Sequence, residues 1–212
     1  LSALEQSVAA PGIAVLLDVV YNHVGYEAAW TRDPARRAWL RSSQPGGCGQ
    51  DDLTQCLAGL PDLRTELPEV RDYLLDAHLG LAERVGLDGF RLDTVKHISH
   101  DFWQLHRREA DARLGEDFFL LGEVWGGDAR VLDPYFEPDE LDAGFDFGFQ
   151  GSTLAFVEGR GRPVAYGRSL EKRHETRAGY HLAHFLSSHD VPTALYQLDG
   201  DVDRFRLLAF LQ

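Results

Sequence analysis

Apolar and polar positions alternate along this 212-residue chain in two rhythms. Near-continuous apolar runs read as buried strands: IAVLLDVVY from about Pro11, the run ending in GFRLDTV, and DFFLLGEVW. LDAGFDFGF reads as a fourth strand and HLAHFLSSHD as a fifth, after an irregular stretch. Helical rhythm fills the gaps. From Glu69 the positions Val70, Tyr73, Leu74, Ala77 and Leu81 recur at helical spacing, with Pro68 suited to the start and Gly86 to the end. Further helices are expected near Phe102 to Leu114 and over DRFRLLAFLQ, and LSALEQSVAAPG reads as a helix leading into the first run.

Strands alternating with helices imply a parallel sheet covered by helices. In four of the runs the polar residues gather at the end: Asp18 to His23, Arg91 to Asp93, Glu123, and His189 with Asp190. Strand ends form the functional face of a (β/α)8 barrel, whereas a doubly wound sheet concentrates function at one switch point. The expected fold is therefore α/β, a TIM-type barrel. Residues 1–24 and 68–212 belong to it, and residues 25–67, rich in Gly, Asp and Cys, form an irregular excursion.

Composition narrows the partners. Acidic residues outnumber basic ones by 34 to 21, and no basic cluster stands out, which argues against nucleic acid and anionic membranes. No apolar run approaches the roughly 20 residues that span a bilayer. Met is absent even at position 1, so the chain reads as an excerpt of a longer protein. Cys48 and Cys56 are spaced to close a short loop or to remain two thiols; a bridge would favour an extracellular or periplasmic location.

The chemistry lies in carboxylates. Asp93 and Arg91 are two apart on one strand and face the same way, so the guanidinium favours an ionised carboxylate, as a nucleophile requires. Glu123 follows Leu121 and precedes Val124 and Trp125, and an apolar surround holds a proton on a carboxyl, as an acid requires. Such a pair, roughly 5–5.5 Å apart, performs double displacement in retaining glycosidases.

At this point the chain resembles the α-amylase family of glycoside hydrolases. DVVYNH (Asp18 to His23), LPDL (Leu60 to Leu63), GFRLDTVKH (Gly89 to His97), GEVW (Gly122 to Trp125) and SSHD (Ser187 to Asp190) match five of its motifs in order. The resemblance implies that Asp93 attacks the anomeric carbon, Glu123 is the acid/base and Asp190 stabilises the transition state. Arg91 would hold Asp93, His23 and His189 would bind hydroxyls of the reacting ring, and Lys96 and His97 would touch the leaving-group side. It also implies calcium at Asn22, Asp62 and the His97 carbonyl, an α-glucan substrate and no organic cofactor. The barrel would be incomplete, with the third to seventh strands present and the first two and the last absent. With such open edges the segment alone would aggregate and be inactive.

The chain departs from the family where Ser188 replaces a frequent Asn; LPDL with Lys96-His97 favours α-1,4 cleavage. Trp125 is expected to stack on sugar, whereas Trp30, Tyr26 and Phe149 are expected in the core and His181 and His184 in structural roles. Transfer in place of hydrolysis, or a binding module that has lost its chemistry, are the competing functions.

Overall fold

The computed structural model describes residues 12–136, 139–172 and 178–212. The helix expected over LSALEQSVAAPG lies outside them except for Gly12. Five strands form one parallel sheet in chain order: β1 (Leu16–Val19), β2 (Gly89–Leu92), β3 (Phe119–Gly122), β4 (Ala143–Phe145) and β5 (His181–Ala183). Seven α-helices accompany it among the described residues: α1 (Pro68–Val85), α2 (His100–Leu114), α3 (Ala129–Phe136), α4 (Phe147–Val157), α5 (Pro163–Glu171), α6 (Ala194–Gln197) and α7 (Val202–Leu211). Parallel neighbours joined through helices are the arrangement the apolar runs predict, and the five strands form part of a barrel wall.

Local chemistry explains the helix ends. Pro68 opens α1 where no N–H is needed, and Gly86 closes it in the left-handed conformation at φ 73°. The Ser99 side chain accepts from the Phe102 N–H to cap α2. The face that α1 buries differs from the one expected. Val70, Leu74, Leu75, Leu79 and Ala82 point inward, while Tyr73 and Ala77 are exposed. The spacing is right but the apolar stripe is rotated by about one position.

The core lies between the sheet and helices α1 and α2, with Phe90, Leu92 and Leu120 beneath Trp103, Tyr21 and Leu79. Two polar pairs are built into it. The Tyr21 hydroxyl meets His106 Nε2 at 3.0 Å, and burial pushes His106 down to about 3, so the imidazole stays neutral. Arg107 pairs with Asp142 at 2.8 Å, and Asp142 also accepts from the Leu120 N–H.

The fourth and fifth runs are shorter strands than expected. β4 stops at Phe145 because Asp146 caps α4 through a 2.6 Å bond from the Phe149 N–H, turning an aromatic run into a helix. Helices α4 and α5 occupy much of the stretch expected to be irregular, and residues 173–177 of it lie outside the described residues. β5 ends at Ala183, and His184 beyond it stacks on the buried Phe149 ring at 3.9 Å.

Between Val24 and Leu67 the chain forms only short 3₁₀ turns and isolated bridges, His23 to Asp62 and Leu40 to Leu63. Its outer part is fastened to α1 by a cluster in which the Arg36 guanidinium lies 4.9, 4.2 and 4.3 Å from the rings of Trp30, Trp39 and Tyr73. Trp30 thus packs as expected, whereas Tyr26 stands exposed and donates its hydroxyl to the Ala58 carbonyl. Arg36→Ala should therefore loosen the excursion by about 2 kcal/mol. Limited proteolysis of the intact protein should then cut between residues 24 and 67 sooner than in the unaltered chain, with the rest of the fold resistant.

Candidate active site

The parallel register sets the site. Asp18 of β1 lies opposite Arg91 of β2, and Arg91 opposite Leu121 of β3, so the next residues, Asp93 and Glu123, emerge at neighbouring strand ends. Two backbone bonds carry the ladder past the strands, Asp93 N–H to Val19 O at 3.0 Å and Glu123 N–H to Leu92 O at 2.8 Å.

One guanidinium binds three carboxylates. Arg91 Nη1 donates to Asp93 Oδ1 at 2.6 Å and to Asp18 Oδ1 at 2.9 Å, and Nη2 reaches Glu123 Oε1 at 2.8 Å. The sequence pattern pairs Arg91 with Asp93 only; its reach to Glu123 follows from the adjacency of β2 and β3. Glu123 is 6% exposed, and burial raises its pKa against the opposing pull of Arg91 and of the Thr94 N–H at 3.2 Å. Asp93 and Asp190 add to the rise.

Thr94 escapes the sequence reading. It follows Asp93 in a left-handed conformation at φ 50°, which a β-branched residue rarely adopts, and its hydroxyl is buried with no hydrogen-bond partner among the described residues. That backbone turn aims the Thr94 N–H at Glu123. No sequence signal marks it.

A cavity of about 520 Å³ opens over the strand ends, lined by His23, Asp93, Lys96, His97, Glu123, Trp125 and Asp190, with Gln55 and Leu57 from the excursion. Seven expected site residues therefore meet. Arg91, Asp18 and His189 line a smaller adjoining cavity of about 220 Å³, which Glu123 shares. His189 lies 3.1 Å from Asp190, and Ser188 Oγ accepts from the Asp190 N–H at 3.1 Å. Trp125 is 47% exposed, with its ring 5.0 Å from that of Phe147. Burial lowers the pKa of His23 and of His97, against the nearby Asp93 in each case, so desolvation favours neutral imidazoles.

Asn22, Asp62 and the His97 carbonyl also converge. The Asn22 amide end lies 3.0 Å from His97 O and 3.3 Å from Asp62 Oδ1. Turned one way the amide donates to both; turned the other, its oxygen joins those of His97 and Asp62, oxygen donors of the type a hard cation takes. Asp62 is fully enclosed, and burial pushes it up to about 6 although Arg41 sits 2.7 Å from its other oxygen. A buried carboxylate with incompletely offset charge fits a cation at that point.

The match to known proteins follows the same lines. Residues 49–211 match the family model described as Alpha amylase, catalytic domain. The chain is 31% identical over 216 residues to a cyclomaltodextrinase of Geobacillus thermopakistaniensis, covering 95% of this chain and 36% of that protein. It is 32% identical over 171 residues to an alpha-amylase of Streptomyces lividans, covering 77% of this chain and 18% of that protein. Among solved structures, the alpha-amylase of Geobacillus thermoleovorans complexed with acarbose superposes with a TM-score of 0.84 at 30% identity, over 98% of this chain and 49% of that one. The cyclic alpha-maltosyl-(1→6)-maltose hydrolase of Arthrobacter globiformis, in complex with maltose, gives 0.81 at 27% identity, over 97% and 49%. The chain thus spans about a third or less of the curated relatives and about half of the solved ones.

Glu123 should titrate above the 4.5 of an ordinary glutamate, and Arg91→Met should move it higher still, because the guanidinium is the main force opposing desolvation. Carboxyl-carbon NMR of the labelled protein across pH measures both; an unchanged midpoint in the variant contradicts this balance.

Proposed function

Because the chain belongs to the alpha-amylase family through its catalytic domain, we propose that it supplies the reacting groups of a retaining hydrolase of α-1,4-glucosidic bonds. The observation that carries this reading is the Arg91 fork. It binds Asp93 and Glu123 to the two nitrogens of one guanidinium and so keeps the carboxylates side by side, and double displacement calls for a pair roughly 5–5.5 Å apart.

Arg91 engages Asp93 Oδ1, which leaves Oδ2 to attack the anomeric carbon. As the glycosidic C–O bond breaks, Glu123 gives its proton to the departing oxygen, which carries away the bonding electrons. Water then attacks the same carbon, Glu123 takes its proton, and the bond to Asp93 is released. The raised pKa of Glu123 keeps that proton available, while the charge of Arg91 stabilises Asp93 as it leaves. Asp190, on the wall of the same cavity, is placed to accept bonds from hydroxyls of the reacting ring. His23 would serve that ring, and Trp125 offers an exposed aromatic face to a sugar. His189 would reach the ring from the adjoining cavity.

Starch-like chains and maltooligosaccharides are the proposed substrates, and the names of the relatives add cyclomaltodextrins. Calcium held by Asn22, Asp62 and the His97 carbonyl would fasten the excursion to the strand ends and take no part in proton transfer. The Cys48–Cys56 disulfide favours an oxidising compartment for the parent protein. No helix among the described residues is long and apolar enough to cross a membrane.

Two measurements test the reading. In the intact protein, Asp93→Asn and Glu123→Gln should each cut kcat/KM on maltoheptaose by about 10⁴-fold. The Glu123 variant should keep more activity on an aryl glycoside, whose leaving group needs no proton. Full activity in Asp93→Asn would refute the assignment. Separately, chelation should lower the melting temperature and added calcium should restore it; an unchanged melting temperature would remove calcium from the site.

A further inference from the structure

Where α1 and α2 pack against the end of β1, the core holds a group of rings that take no part in the cleft. Tyr21, Trp103 and His106 are wholly enclosed, and the ring of His78 on α1 lies 4.7 Å from that of Tyr21. His106 is answered on one side alone. Its Nε2 meets the Tyr21 hydroxyl at 3.0 Å, while Nδ1 is buried with no hydrogen-bond partner among the described residues. A neutral ring leaves that one nitrogen unanswered; a second ring proton would add a full charge in an apolar shell.

The groups that face His106 would not receive that charge. The end of β1 presents the Tyr21 hydroxyl, β2 the Phe90 ring, α1 the imidazole of His78, and α2 itself Arg107 with the rings of Phe102 and Trp103. Arg107 and His78 both oppose a further positive charge. The carboxylates of Asp111 and Asp142 lie 3.5 and 2.8 Å from the Arg107 guanidinium and offset that cation instead.

We propose that the Tyr21–His106 pair is an acid-operated latch: a neutral His106 locks α2 onto the end of β1, and His106 takes up a proton only when that packing opens. What opens adjoins the cleft. Tyr21 is followed by Asn22 and His23, and His23 stands on the cavity wall. Helix α2 also holds the turn after Asp93, because the Trp103 indole N–H donates to the Val95 carbonyl at 2.9 Å. Burial keeps the closed ring well below the 6.5 of a free imidazole, so the open form binds the extra proton. The latch is therefore whole above about pH 6.5, and each pH unit below it favours opening by up to about tenfold. His78, lowered by its own burial, acts in the same direction. The latch belongs to the fold and stands apart from the glycosidase reading.

Hydrogen exchange of the intact protein, corrected for the intrinsic effect of pH, reads the latch directly. Between about pH 6.5 and pH 5, protection should fall by about tenfold over residues 18–23 and 100–110 and stay within about twofold over β3. His106→Gln, whose amide can still meet the Tyr21 hydroxyl but takes no proton, should limit that fall to about threefold. An undiminished fall in the variant, or an equal loss over β3 in the unaltered chain, would overturn the proposal. Nitrogen NMR of the unaltered protein covers the case of a poorly folding variant. The closed form should show a neutral His106 ring at pH 5, and a folded ring that titrates at about 6.5 refutes the latch.

Discussion

Three carboxylates from three adjacent strands share one guanidinium, and the rest of the site is arranged around that fact. Asp18, Asp93 and Glu123 would repel one another if left together without compensation. Arg91 offsets them with two nitrogens in a rigid fork, which a lysine cannot reproduce. The fork works only because the sheet is parallel and in register, with Asp18, Arg91 and Leu121 in one row. A shift of one residue in either strand pairing would send one of the carboxylates to the other face.

The pairing of Asp93 with Glu123 at neighbouring strand ends was legible in the sequence because both residues end apolar runs, and an apolar run ending in a charge is hard to explain by packing alone. Other features were hidden because they depend on the third dimension. The unusual backbone of Thr94 is set by the turn out of β2, not by its own preference. Residues 141–149 read as one strand because aromatic residues favour both sheets and buried helices. Asp146, at the point of change, looks like an interruption until its bond to the Phe149 N–H is seen. The buried side of α1 was misplaced because Tyr73 satisfies the helical rhythm but packs against the excursion, where its ring meets Arg36.

The excursion itself gave the least away. It has no periodicity to read, and its contacts pair residues far apart in the chain, such as Asn22 with Asp62 and Asp52 with His97. What could be read was its chemistry: Asn22, Asp62 and His97 do meet. Their neighbour Arg41, bonded to both Asp62 and Glu66, has no signature in the pattern at all.

The Arg36 cluster has a different consequence. Ion pairs such as Arg41 with Glu66 lie near the surface and weaken as ionic strength rises, because mobile counterions screen them. A guanidinium packed among three aromatic rings is already partly withdrawn from those counterions, and its contacts are with ring faces, not with exposed carboxylates. The excursion is therefore fastened to α1 by an attachment that tolerates brine, while the Arg41–Glu66 pair feels the medium. A segment secured in this way gives up one attachment in strong salt and keeps the other.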